Sequence, residues 1–115
     1  NIIKKLHEQG LPAPELIATI QAGGNYYFLY KKIEGISFKK LLRGEKHPVT
    51  GKKLTPEDQE EIEQHIAKLK EAYTQAGIQR PERNWGPSNF IISYESSTQQ
   101  WKTTPIDFEM TRLEE

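Results

Sequence analysis

Cysteine is absent from the 115 residues, which excludes disulfides and thiolate metal sites. Net charge is absent as well. Sixteen Lys and Arg balance sixteen Asp and Glu, so the overall balance draws the chain neither to nucleic acid nor to an anionic membrane surface. No apolar run approaches the ~18 residues of a membrane-spanning helix, and the N-terminal stretch lacks the apolar core of a signal peptide. The expectation is a soluble, cytoplasmic protein with no nucleic-acid and no membrane partner. Methionine occurs once, at Met110, and the first residue is Asn1, from which further chain upstream is expected. His7, His47 and His65 have no metal-ligand spacing to one another and read as surface or helix-face residues.

What is present is a mixed pattern. Ile2, Ile3 and Leu6 space as one face of a short helix that Gly10 ends. Residues 15–21 and 26–31 read as a hairpin about Gly23-Gly24-Asn25, the second strand being rich in aromatic residues. Ser37 can cap a short helix holding Phe38, Leu41 and Leu42, closed by Gly44. Residues 45–54 are polar and read as a surface loop. Thr55-Pro56-Glu57-Asp58 is the clearest helix start: a capping hydroxyl, proline at the first helical position, then carboxylates favoured by the macrodipole. Ile62, Ile66, Leu69 and Tyr73 continue it as one apolar stripe to Gly77. A loop with Pro81 and Pro87 follows, then strands predicted at 90–94 and 101–106 about Ser96-Ser97-Thr98. One α+β domain results.

Two short segments carry candidate chemistry. The first is Glu82-Arg83-Asn84-Trp85-Gly86-Pro87-Ser88-Asn89, the second Pro105-Ile106-Asp107-Phe108-Glu109. Asn89 and Asp107 offer hard oxygen donors of the kind Mg²⁺ takes. Alone, each also reads as a turn or strand-end residue. They stand 18 residues apart and bracket a predicted hairpin, which would bring its two ends together.

These segments resemble the H-R-D-L-x-x-x-N and D-F-G motifs of the protein-kinase-like fold, in the broad sense that includes aminoglycoside and other small-molecule phosphotransferases. The stretch Tyr27 to Phe38 resembles the last small-lobe strand, the hinge and the E-G-x-S-[LF] start of the next helix. Asn89-Phe90-Ile91-Ile92 resembles the strand after the catalytic loop, and Glu109 tilts the likeness toward the aminoglycoside branch. The resemblance implies a partial kinase-like domain, with residues 1–34 as the small-lobe end and hinge and residues 35–115 as the start of the large lobe. It implies ATP as the nucleotide and Mg²⁺ on Asn89 and Asp107. Hinge contacts to adenine would come from Lys31 and Ile33, with Tyr30 near the gatekeeper position. Both cofactors depend on a small lobe whose glycine-rich loop and lysine lie outside this sequence.

The catalytic base departs from the pattern. Counted from Asn89, the aspartate slot falls on Asn84, and an amide cannot take the proton of an attacking hydroxyl. Counted from Gly77, it falls on Glu82. Two functions follow. One is an ATP-dependent phosphotransferase with catalysis weakened or lost at Asn84, its phosphoryl acceptor unknown. The other is a pseudokinase or truncated remnant acting as a binding or regulatory module on a protein partner. A third reading is a small α+β domain unrelated to kinases, which the path of the chain from the Tyr26 strand into a helical part tests.

Overall fold

The computed structural model describes residues 2–106 and the backbone of Arg112–Leu113. Helix α1 spans Ile2–Glu8 and buries Ile3 and Leu6. Strands β1 (Leu16–Ala22) and β2 (Asn25–Tyr30) form an antiparallel hairpin with Ala22 opposite Asn25. Residues 31–35 run on without regular structure to a short strand β3 (Ile36–Ser37) and helix α2 (Phe38–Leu42). Ser37 caps α2 by accepting from the Lys40 amide at 3.3 Å.

Helix α3 (Pro56–Gln75) starts as its sequence dictates. Thr55 Oγ1 accepts from the Asp58 amide at 3.1 Å, and Asp58 Oδ2 accepts from the Thr55 amide at 3.3 Å. This reciprocal pair satisfies two donors that a helix start otherwise leaves open. The second oxygen of Asp58 accepts from Trp101 Nε1 at 3.1 Å, so the cap also docks the helix on the strand that carries Trp101.

After Gly77, strand β4 (Ile78–Gln79) leads to two 3₁₀ turns, Glu82–Trp85 and Pro87–Asn89. Strands β5 (Phe90–Glu95) and β6 (Gln100–Pro105) then form the second hairpin. A last strand, β7 (Arg112–Leu113), pairs antiparallel with β4. The sheets are β1-β2, β3-β5-β6 and β4-β7. The architecture is α+β, and no helix among the described residues is long and apolar enough to cross a membrane.

Two apolar clusters hold the described residues together. Phe38, Leu41, Ile62, Leu69, Phe90 and Ile92 form one. Leu6, Tyr73 and Ile78 form the other, and Trp85 packs against both. The stripe read from α3 is therefore the core face: Ile62, Leu69 and Tyr73 are buried. The first hairpin differs, because Ile17, Ile20, Tyr26 and Leu29 are exposed on it.

Three features depart from the sequence reading. The short strands β3, β4 and β7 were not expected, since two residues carry no alternation to read. The second is Gly35. Its φ is +145°, and an added Cβ would meet the Ile92 carbonyl, lying 2.9 Å from the carbonyl carbon. Glycine is there because the chain entering β3, the antiparallel neighbour of β5, runs against the β5 backbone. The third is His47, neither a surface nor a helix-face residue but one in a loop, 1% exposed. Its Nδ1 accepts from the Val49 amide at 3.1 Å, which leaves Nε2–H to donate to the Ile92 carbonyl at 2.8 Å. Its ring meets Trp101 edge-on, 5.2 Å between centroids. A polar loop thus plants one ring in the hairpin because both nitrogens find partners there. His7 is exposed and His65 half-buried on α3, where His65 Nδ1 lies 3.2 Å from Thr103 Oγ1.

Candidate functional site

The loop from Gly77 to Phe90 is built for turning. Gly77 has φ +71° and ends α3. Pro81 fixes an extended step, after which the Asn84 amide bonds the Pro81 carbonyl at 2.9 Å and the Asn89 amide bonds the Gly86 carbonyl at 3.1 Å. Two tight turns in succession bring Asn89 to the start of β5. The hairpin then returns the chain to it. Phe90 stands opposite Pro105, which has no N–H to give, and the closing bond comes from the Ile106 amide to the Asn89 carbonyl at 2.8 Å.

Of the two candidate metal ligands, Asn89 is described and Asp107 lies outside the described residues. Asn89 Nδ2 donates to the Arg83 carbonyl at 3.4 Å. That bond orients the amide, leaving Oδ1, the hard oxygen, as the atom with coordinating chemistry. One amide oxygen plus one carboxylate is a sufficient protein contribution for Mg²⁺, which keeps several waters and takes the remaining oxygens from phosphate. Among the described residues no group of three or more His, Asp and Glu clusters as a metal site.

The two candidate bases stand in opposite surroundings. Asn84 is 6% exposed, and its carbonyl is held by Arg80. The Glu82 side chain is 81% exposed and pairs with Lys70 Nζ on α3 at 2.6 Å. Lys70 in turn lies 6.0 Å from the Trp85 ring centroid. The pair ties the loop to the helix, and its exposure keeps its contribution to stability small. Arg83 is exposed and serves the site through its carbonyl.

Sequence reasoning passed over Arg80, the most connected side chain here. It is buried, and its guanidinium donates from Nη2 to the Asn84 carbonyl at 2.7 Å and to the Ile106 carbonyl at 2.8 Å. Nε adds a longer bond to Asn84 O at 3.3 Å. The Trp85 and Phe90 rings lie 5.1 Å and 5.6 Å from its Cζ. Beside it, burial pushes the Tyr73 hydroxyl up to about 12, with the Arg80 charge pulling the other way. The Tyr73 ring meets Trp85 edge-on at 5.1 Å. Two aromatic residues following a charged one across a proline-rich loop were the available signal, but only tertiary structure brings them onto the same cation.

Lys31 and Ile33, the residues expected to contact adenine, line a separate cavity of about 600 Å³, within the usual size of ligand pockets. Lys31, Ile33 and Glu34 form one wall, and Ser93, Lys102 and Thr104 of the second hairpin another. The Lys31 amide is already engaged by the Glu15 carbonyl at 2.7 Å, so its backbone bonding is internal. The Glu34 carbonyl accepts from Ser93 Oγ. Tyr30 ends β2, 39% exposed, and is not part of the cavity wall. Asn84 and Asn89 are not part of it either. The structure thus joins Asn89, Asn84 and Ile106 through Arg80 and the hairpin, and groups Lys31 and Ile33 elsewhere. No family model matches this chain, and neither does any curated protein.

Proposed function

We propose that this chain is the hinge and catalytic-loop portion of a kinase-like, ATP-dependent phosphotransferase domain whose catalysis is weakened or lost. The observation that carries this reading is the 2.8 Å bond from the Ile106 amide to the Asn89 carbonyl. It fixes to Asn89 the residue that directly precedes Asp107, as a shared Mg²⁺ site requires. The path of the chain supports it too: a strand pair, an irregular connection over 31–35, then α2 and α3.

Bound Mg·ATP would supply the transferable phosphoryl group and the cation that neutralises its developing charge. The chain's own part is to position. Asn89 would offer Oδ1 and Asp107 its carboxylate to the metal, while the backbone at Ile33 would offer hydrogen bonds to adenine. Asn84 would sit at the base position without a group able to accept a proton. Losing general-base help typically costs about 10² to 10⁴ in rate.

A second reading, a pseudokinase module that binds but does not transfer, is favoured by the surroundings of the two base candidates. Asn84 is buried, and Glu82 is committed to Lys70. Calorimetric titration of ATP into the full-length protein, with and without Mg²⁺, tests the shared core of both readings. Mg²⁺-dependent affinity that Asp107→Ala removes is the expected result; affinity indifferent to Asp107→Ala would sink it. Asn84→Asp then separates the two, since a gain in ATP hydrolysis belongs to a site that lacks only its base.

A further inference from the structure

Beside its core stripe, α3 presents His65, Lys68, Leu69 and Ala72 at helical spacing, and these four line an open cleft of about 370 Å³. Leu11 and Pro12 wall it from the segment after α1, Trp101 and Thr103 from β6. The walls are mainly apolar, and the volume falls in the range of small-molecule sites. Its polar groups decide what it takes. Thr103 is buried, and its Oγ1 lies 3.2 Å from His65 Nδ1, the one hydrogen bond either side chain makes. Were the ring to donate that bond, the buried hydroxyl proton would be left without an acceptor. The hydroxyl therefore donates to Nδ1, and Nε2 carries the ring proton. That N–H is a donor without an acceptor in the protein. Lys68, three residues on, adds positive charge on the same helix face. Lys102 also borders the cleft, but it alternates with Trp101 and Thr103 along β6 and so belongs to the other face of the strand. Among the described residues no Asp or Glu lines the cleft. A free donor, a cation and apolar walls with no opposing anion complement a ligand that joins one anionic acceptor to an apolar chain.

We propose that the cleft between α3 and β6 binds a free medium-chain carboxylate, its chain against Leu69, Ala72 and Trp101 and its head on His65 Nε2–H and the Lys68 ammonium. The site includes none of Asn84, Asn89, Lys31 and Ile33, so it stands or falls apart from the kinase-like reading. Charge and length are the two properties that distinguish this ligand from any other apolar molecule. The head sets a preference for the anion over a neutral or cationic analogue of equal length. The walls set a preference for the longer of two carboxylates, because each buried methylene adds to affinity.

The experiment is calorimetric titration of the full-length protein with decanoate, decanol and decyltrimethylammonium, each below its micellar or solubility limit. Decanoate is expected to bind one per chain, at least about tenfold tighter than the alcohol or the cation. Octanoate, two methylenes shorter, is expected to bind about tenfold more weakly than decanoate. Lys68 is exposed, and Lys68→Gln is expected to lose about tenfold in decanoate affinity with decanol affinity unchanged. Ala72→Phe fills the cleft and is expected to weaken both ligands at least about tenfold. Equal affinities for decanoate and decanol overturn the anionic head, and with it the proposal. Decanoate binding indifferent to Ala72→Phe puts the ligand elsewhere, for example on the exposed β1–β2 hairpin, and overturns the site. Wild-type protein that binds no decanoate overturns the proposal outright. So does self-association of the wild type that Ala72→Phe abolishes, since a second copy is then the occupant. Should Ala72→Phe fail to fold, Lys68→Gln still decides: unchanged decanoate affinity in that variant overturns the proposal.

Discussion

Replacing His47 by phenylalanine separates what the ring packs against from what its nitrogens bond. Phenylalanine keeps an aromatic edge toward Trp101, 5.2 Å away in the wild type, and removes both hydrogen bonds. The two bonds do not weigh equally. The Ile92 carbonyl lies under a residue with no exposed surface, so losing its imidazole donor costs about 1–3 kcal/mol. The Val49 amide belongs to an exposed residue, and water can replace the imidazole there, at about 0.5–1 kcal/mol. The sum, about 1.5–4 kcal/mol, is a large part of the roughly 5–15 kcal/mol that holds a domain. His47→Ala should lose a further ~1–2 kcal/mol, because it also forfeits ring packing.

Urea denaturation of the three proteins reads these differences as midpoint shifts at a common slope. Amide exchange tells whether the loop alone is released. The His47 amide bonds the Lys52 carbonyl at 3.0 Å, and the Gly51 amide bonds the His47 carbonyl at 2.8 Å. Both should lose protection in His47→Phe before the β5–β6 ladder does. A His47→Phe protein within about 0.5 kcal/mol of wild type would refute the argument, since packing alone would then account for the burial of this ring.

Three further outcomes are expected. Gly35→Ala forces a side chain into a φ of +145° and against the Ile92 carbonyl, costing about 2–4 kcal/mol from strain and overpacking together. Gly51→Ala, at φ +68° in open space, should cost only about 1 kcal/mol, so similar melting temperatures for the two variants would contradict the account of the close approach at Gly35. Thr55→Ala removes the cap from α3 and should cost about 1 kcal/mol in denaturant melts. Asp58→Ala should cost more, because its other oxygen also holds the Trp101 indole. Tyr73, raised from 10.0 to about 12 by burial, stays neutral in the folded state while the unfolded chain ionises. Its contribution is therefore intact below about pH 10 and is lost as pH rises through about 12, a decline of order 2–3 kcal/mol. Tyr73→Phe should flatten that alkaline limb, and an unchanged limb would assign it to other groups.

The parts of this fold that a sequence can announce are those decided locally. The capping box at Thr55 and Asp58, the apolar stripe of α3 and the turn at Gly23-Gly24 follow from neighbouring residues, and each stands where the sequence puts it. The return of the second hairpin to Asn89 was also legible, since two strand-like runs about Ser96-Ser97-Thr98 must bring their ends together. What escaped was decided at a distance. His47 is buried by partners 45 residues away, and Arg80 acquires its role from Ile106, 26 residues on. Neither residue type is expected inside. Each is tolerated because tertiary structure satisfies its polar atoms, a condition invisible in a window of neighbouring residues.

Arg80 also bears on whether a carboxylate can stand at position 84. A buried aspartate with no compensating cation costs about 3–5 kcal/mol, and position 84 is buried. The guanidinium bonds the Asn84 carbonyl at 2.7 Å, and a cation about 6 Å from a carboxylate introduced on that residue would attract it. At that separation and an effective dielectric of about 20, the attraction is about 3 kcal/mol. The two terms nearly cancel, so Asn84→Asp is expected to fold with a loss below about 2 kcal/mol at neutral pH. The same attraction holds the carboxyl ionised, which readies it to orient a hydroxyl and lowers its strength as a base. Denaturant titration of Asn84→Asp therefore comes before any activity assay. A loss near 5 kcal/mol would mean that Arg80 does not offset the new charge, and that this loop is closed to a catalytic carboxylate by its own packing.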